Sequence, residues 1–138
     1  MQCAFTWNRP QWDALACRKH VRPSNASKRM WERSLLTLGT TQGGAAVFDP
    51  QFSLAQIEAM GMGCLRIDEN GVVLPEEGVV EIQVNVCHIR RFYRRFDFIT
   101  GACDGAKTAY LFVEYVNSGP VHGWPASEAC LKKKGAQI

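Results

Sequence analysis

The sequence predicts an α+β fold: a mainly antiparallel sheet of about four to six strands with helices packed on it, a helical N-terminal part and a short C-terminal helix. Three observations carry this prediction. Apolar residues recur at helical spacing in the first 39 residues. After Gly61 the period shortens to two, and glycine-containing turns separate short β-branched runs. From Pro125 or Ser127 the pattern returns to a helix, with Glu128 at its positive end and Lys132 to Lys134 at its negative end. The length of 138 residues argues for a single domain over 1–138, with 1–39 as the helical part and 45–138 as the sheet-forming part that ends in the last helix.

Asn8 is a candidate cap for a first short helix, with Pro10 in its first turn and Trp12, Leu15 and Ala16 on one face. Pro23 ends it. A second helix begins after Ser24 or Ser27 and runs to Leu38 behind the stripe Trp31, Leu35 and Leu38. "GTTQGG", residues 39–44, lacks the lysine of a phosphate-binding loop and reads as a connector. "AAVF" at 45–48 is a short strand. "SLAQIEAMG" is a helix, because Ser53 and Gln56 have capping-box spacing and Gly61 suits a stop. "CLRI", "GVVL" and "VVEIQVNV" are strands, parted by "DENG" and "PEEG"; Asn70-Gly71 is a hairpin signal. Glu81, Gln83 and Asn85 alternate with Ile82, Val84 and Val86, giving one wet face, as antiparallel sheets allow. "TAYLFVEYV", the most apolar run, is the central strand, and "FDFIT" reads as the first arm of a hairpin to it.

The composition, 46% hydrophobic and 21% charged, suits a globular chain able to bury a core without staples. No apolar run approaches the ~18 residues of a membrane span, and the first residues lack the apolar core of a signal peptide. A cytoplasmic protein with no membrane association is expected. The six cysteines, Cys3, Cys17, Cys64, Cys87, Cys103 and Cys130, form no C-x-x-C pair and read as reduced thiols, mostly small core residues. The net charge of +3 is unevenly spread: seven basic against two acidic residues in 1–33, one against seven in 49–81, and eight against four from 82 onward. Acidic and basic segments of this kind suit mutual neutralisation within a fold or between subunits, and a homodimer is expected.

The stretch "CHIRRFYRRFDF", residues 87–98, poses the sharpest question. At about 100° per residue, Ile89, Phe92, Tyr93 and Phe96 cluster opposite Arg90, Arg91, Arg94 and Arg95. At about 180°, arginines and aromatics mix on both faces. The pattern alone favours a helix over 88–96. Its four guanidiniums are candidates for an anionic ligand, a nucleic acid or an acidic protein, since the planar fork binds two oxygens at once. The blander alternative is a solvated face, or one that partners the acidic middle segment.

No recognisable catalytic motif is present, and the reading leans away from an enzyme. His20, His88 and His122 lack metal-ligand spacing, G-x-S-x-G is absent, and neither cofactor nor metal is implied. "GPVHGWP", 119–125, reads as a rigid loop between the central strand and the last helix. In a second view of function, His122 and Trp124 join Glu114 and Tyr115 as pocket candidates, because Glu114 and Tyr115 alternate on the preceding strand and either one can face a cavity. The expectation is thus a small binding or interaction protein with an anionic partner at an arginine-rich face; the alternative is a small-molecule pocket protein or enzyme using the 119–125 segment.

Overall fold

In a computed structural model of the protein, residues 5–17, 20–21 and 46–138 are described. In chain order they form β1 (Gln11–Trp12), α1 (Ala14–Cys17), β2 (Ala46–Phe48), α2 (Leu54–Met62), β3 (Leu65–Ile67), β4 (Val73–Pro75), β5 (Val79–Ile82), β6 (Ile89–Arg95), β7 (Gly101–Cys103), β8 (Ala106–Thr108), β9 (Tyr110–Val116), β10 (Pro120–Pro125) and α3 (Glu128–Lys133). This is a mixed α+β architecture with mostly antiparallel pairing. The main sheet has the order β1-β10-β9-β6-β5; a three-stranded sheet, β2-β7-β8, and the β3-β4 hairpin accompany it. Among the described residues, the one parallel pair is β1 with β10.

β9 is central because both of its faces are covered. Leu111, Val113 and Tyr115 are buried on one face and Phe112 on the other. A strand closed on both sides reads as a continuous apolar run, which is how "YLFV" looks in the sequence. The first core joins Phe92, Leu111, Val113 and Val121 to Phe48, Ile57, Cys64 and Val73. The second joins Phe112 to Ile82, Ala126, Leu131 and Ala136 under the C-terminal helix. β10 comes close to β9 at Gly123, where a Cβ would stand 2.3 Å from the Phe112 carbonyl oxygen, so the strand needs glycine there.

Local signals set several element ends. In α2, Ser53 Oγ accepts from the Gln56 N–H at 3.1 Å, and Gln56 Oε1 accepts from the Ser53 N–H at 2.7 Å. This reciprocal capping box is the one its sequence spacing predicts. α3 starts at Ser127, whose Oγ accepts from the Cys130 N–H at 3.0 Å, and Gly135 beyond it has φ +104°. The β3-β4 turn is tied by Asp68 Oδ1, which accepts from the N–H groups of Asn70 and Val72.

Several expectations are corrected. Residues 88–96 are not a helix: β6 pairs with β5 on one edge and β9 on the other, with Arg91 opposite both Ile82 and Glu114. Its mixed faces are tolerated because Arg90 and Arg94 hold their guanidinium groups over aromatic rings, and Arg90 and Arg91 pair with the carboxylates of Glu81 and Glu114. Arg90 and Arg94 stand 5.2 and 4.9 Å from the ring centroids of Phe92 and Phe96. The segment 119–125 is not a loop: Pro120–Pro125 is a strand between β1 and β9. Its prolines occupy the strand ends, where a missing N–H is least costly. The partner of the central strand is 89–95, while "FDFIT" leads instead into the β7-β8 excursion. Asn8 does not cap a helix; Asp13 does so for α1, with Oδ1 accepting from the Ala16 N–H at 3.1 Å. Cys87 is disulfide-bonded, against the expectation of six reduced thiols, whereas Cys17, Cys64, Cys103 and Cys130 are free. The expected helix from Ser24 or Ser27 to Leu38 and the 39–44 connector lie outside the described residues.

Candidate functional site

Alternation along β6 and β9 sends the predicted site residues to opposite faces of the main sheet. One face carries Arg91, Tyr93 and Arg95 from β6, Phe112 and Glu114 from β9, and His122 and Trp124 from β10. The other carries Arg90, Phe92 and Arg94, with Leu111, Val113 and Tyr115. The four arginines therefore do not assemble one surface.

On the first face, Arg91, Glu114 and His122 are consecutive cross-strand partners. Arg91 Nε donates to Glu114 Oε2 at 3.0 Å, and His122 Nε2 stands 3.8 Å from Glu114 Oε1. The His122 and Trp124 rings lie 5.7 Å apart, and Trp124 also packs against Phe112 at 4.7 Å and His20 at 5.4 Å. Three of the four pocket candidates, Glu114, His122 and Trp124, are thus brought together. The ion pair with Arg91 satisfies the Glu114 carboxylate, and the Lys134 ammonium covers Trp124 at 5.6 Å.

The opposite face holds a cavity. It has a volume of about 580 Å³ between the N-terminal segment and the β3-β4 hairpin, within the ~300–1,000 Å³ usual for small-molecule sites. Trp7, Asn8, Arg9 and Pro10 form one wall, Ile67 and Gly71 to Val73 another, and Arg90 and Tyr115 the floor. Tyr115, the fourth pocket candidate, is the one that lines it. Its hydroxyl donates to the Asn8 carbonyl oxygen, and its ring packs on Trp7 with centroids 4.9 Å apart. Burial pushes the Tyr115 phenol above its ordinary value, and the nearby Arg90 charge opposes this.

Arg90 holds the floor to the walls. Its Nε and Nη2 donate to the two oxygens of Glu81 at 2.8 and 2.7 Å, and Nη1 donates to the Val73 carbonyl at 2.8 Å. This bidentate pair cancels most of the charge that Arg90 would present to a ligand. Arg9 differs: it is exposed and has no ion-pair partner among the described residues. The cavity therefore combines aromatic and aliphatic walls with one free guanidinium. Of the other two expected anion-binding residues, Arg94 lies over the Phe96 ring and Arg95 is exposed at the end of β6.

Sequence reasoning missed Trp7, Arg9, Ile67, Val72 and Val73 as site residues. The available signal was an excess of apolar residues in the hairpin: Ile67 and Val72 stay 44% and 50% exposed, beyond what its single buried face requires. Among the described residues, no group of three or more His, Cys, Asp or Glu side chains is placed to hold a metal ion, and no helix is long and apolar enough to cross a membrane. Comparisons with protein-family models, curated proteins and solved structures find no match to this chain.

Proposed function

We propose that the protein binds a small ligand with a flat apolar body and one anionic group, in the cavity between the N-terminal segment and the β3-β4 hairpin. The observation that carries this is the cavity of about 580 Å³, walled by Trp7, Tyr115, Ile67 and Val72 and bearing Arg9, which has no ion-pair partner among the described residues. Aromatic walls favour a ring system by offset stacking. A guanidinium without a carboxylate partner favours a carboxylate, sulfonate or phosphate. The expected preference for an anion is kept, but it moves from the four arginines of β6 to Arg9. Two of those four, Arg90 and Arg91, already hold Glu81 and Glu114.

The test is a two-dimensional NMR titration with 2-naphthoate and with its uncharged amide, which share one ring system. Naphthoate is expected to shift the Trp7 indole signal and the methyls of Ile67 and Val72. Arg9→Ala should weaken naphthoate binding about fivefold to tenfold, the loss of one exposed charge-assisted contact, and leave the amide unchanged. Shifts confined to His122, Trp124 and their neighbours would move the site to the other face. No shift at Trp7, Ile67 or Val72 up to the solubility limit would remove the proposal.

A further inference from the structure

The apolar cavity has a polar neighbour. A second space, of about 480 Å³, lies where the N-terminal segment and β1 run beside the turn that leads into β10, and both spaces share Asn8 and Arg9 in their walls. The chain is held tightly here. Gly119 takes φ +119°, a conformation that favours glycine, and a Cβ at that position would stand 3.2 Å from the Arg9 carbonyl oxygen. The Asn8 N–H donates to the Asn117 carbonyl at 2.8 Å, the Gln11 N–H to the Gly119 carbonyl at 2.9 Å, and the Asp13 N–H to the Val121 carbonyl at 2.7 Å. Asn8 Nδ2 adds a bond to the Ser118 carbonyl at 3.2 Å. With these backbone N–H groups satisfied, side chains define the chemistry of the space.

The two spaces differ in character. The larger is walled by aromatic and aliphatic groups, whereas the smaller is lined by Arg9, Gln11, Asp13 and Ser118. Asp13 is half-buried, and its Oδ1 caps α1 by accepting from the Ala16 N–H at 3.1 Å. Asp13 Oδ2 has no hydrogen-bond or ion-pair partner among the described residues. Arg9 likewise has no ion-pair partner among them. The smaller space therefore carries one guanidinium and one carboxylate, neither of them neutralised by another described side chain. A purely anionic ligand satisfies Arg9 but brings a like charge near Asp13. A neutral polar group can hydrogen-bond to either side chain, but hydrogen bonds are stronger when both partners are charged. A ligand that carries one carboxylate and one ammonium matches both.

Resting on the ligand reading given above, we propose that the ligand is an aromatic α-amino acid. Its ring occupies the apolar cavity, its carboxylate meets Arg9 at the shared wall, and its ammonium meets Asp13 in the polar space. The chemistry of an α-amino acid suits this division. One carbon bears the ring-carrying side chain and both charged groups, so the ring enters one space while the charges stay in the other. Arg9 belongs to both spaces, and so stands where the two parts of the ligand join.

The experiment titrates the isotope-labelled full-length protein with three probes that share an indole ring: L-tryptophan, indole-3-propionate, which lacks the ammonium, and tryptamine, which lacks the carboxylate. All three should shift the methyl signals of Ile67 and Val72, and only tryptophan and tryptamine should shift the backbone signals of Gln11 and Asp13. Tryptophan should bind about fivefold to tenfold more tightly than either of the others, the gain from one further charge-assisted contact at a partly exposed site. Asp13→Asn keeps an oxygen able to cap α1. It should weaken tryptophan by that same factor, to the level of indole-3-propionate, and leave indole-3-propionate no weaker than before. The proposal is overturned if indole-3-propionate binds the wild type as tightly as tryptophan, a result that needs no variant, or if folded Asp13→Asn leaves the ratio of the two affinities unchanged. In either case, shifts at Ile67 and Val72 with indole-3-propionate would still uphold the apolar cavity as a site for an aromatic anion. No shift there with any probe would remove both readings together.

Discussion

The two faces of the main sheet are built from the same strands, yet they are closed in different ways. Under α3, Phe112, Ala126 and Leu131 are each fully buried, and the polar groups of Arg91 and Glu114 satisfy one another. Under the β3-β4 hairpin, an equally dry layer of Phe92, Leu111, Val113 and Tyr115 gives way at one end to the cavity floored by Tyr115 and Arg90. The covering element accounts for the difference. A capped helix docks its apolar residues continuously on a sheet. A hairpin of three-residue strands buries Leu65 and Val73 but leaves Ile67 and Val72 largely exposed beside open space. One face is closed throughout, and the other leaves apolar surface beside an open cavity.

The strongest way to break this comparison is to loosen the helix-covered face alone. Leu131→Ala should cost about 2–5 kcal/mol in a denaturant titration, yet leave naphthoate binding intact in the folded fraction. Loss of both together would mean that the faces are not independent. A somewhat smaller effect belongs to the core under the hairpin. Burial raises the Cys64 thiol from 9.0 to about 11, so the unfolded chain releases its proton first as pH rises. The stabilising contribution is complete below pH 9 and is lost as pH rises through the folded value, by about 2–3 kcal/mol. Stability measured from pH 8 to 11 should fall, and Cys64→Ala should remove its share of the fall while leaving that of Cys17, whose thiol burial raises in the same way.

Glu81→Gln sharpens the contrast within the cavity. Because both partners are partly exposed, the loss of the Arg90 pair should cost only about 1–2 kcal/mol. The released Arg90 charge should at the same time tighten naphthoate binding, so that stability and affinity move in opposite directions. The smallest effect is expected at Arg95, exposed at the end of β6. Arg95→Ala should stay within about 0.5 kcal/mol of the wild type and leave naphthoate affinity unchanged.

How much was legible can be argued from particular residues. The α2 capping box, the Asn70-Gly71 turn, the Ser127 cap and the central position of 110–116 were all readable, because each depends on groups a few residues apart or on total apolarity. Asp104-Gly105 was equally local and passed unread, although it is the same type of hairpin signal as Asn70-Gly71. The candidate site was legible in fragments: Tyr115 was named as a pocket residue and Arg90 as an anion-binding one, whereas Trp7 and Arg9 were not singled out.

By itself, then, the sequence determined the α+β class, the caps, the tight turns and the most buried strand. These follow from short-range sterics, hydrogen bonds between near neighbours, and the need to remove a run such as "YLFV" from water. Only the tertiary structure decided that 89–95 and 120–125 are strands, that Arg90 holds Glu81 and Arg91 holds Glu114, and that a cavity opens beneath the hairpin. The partners in those ion pairs lie 9 and 23 residues apart. A period of two and a period of 3.6 compete nearly evenly over "IRRFYRR" when its neighbours are ignored. Backbone pairing along both edges of that segment, with carboxylates waiting opposite two of its arginines, settles the competition for the strand.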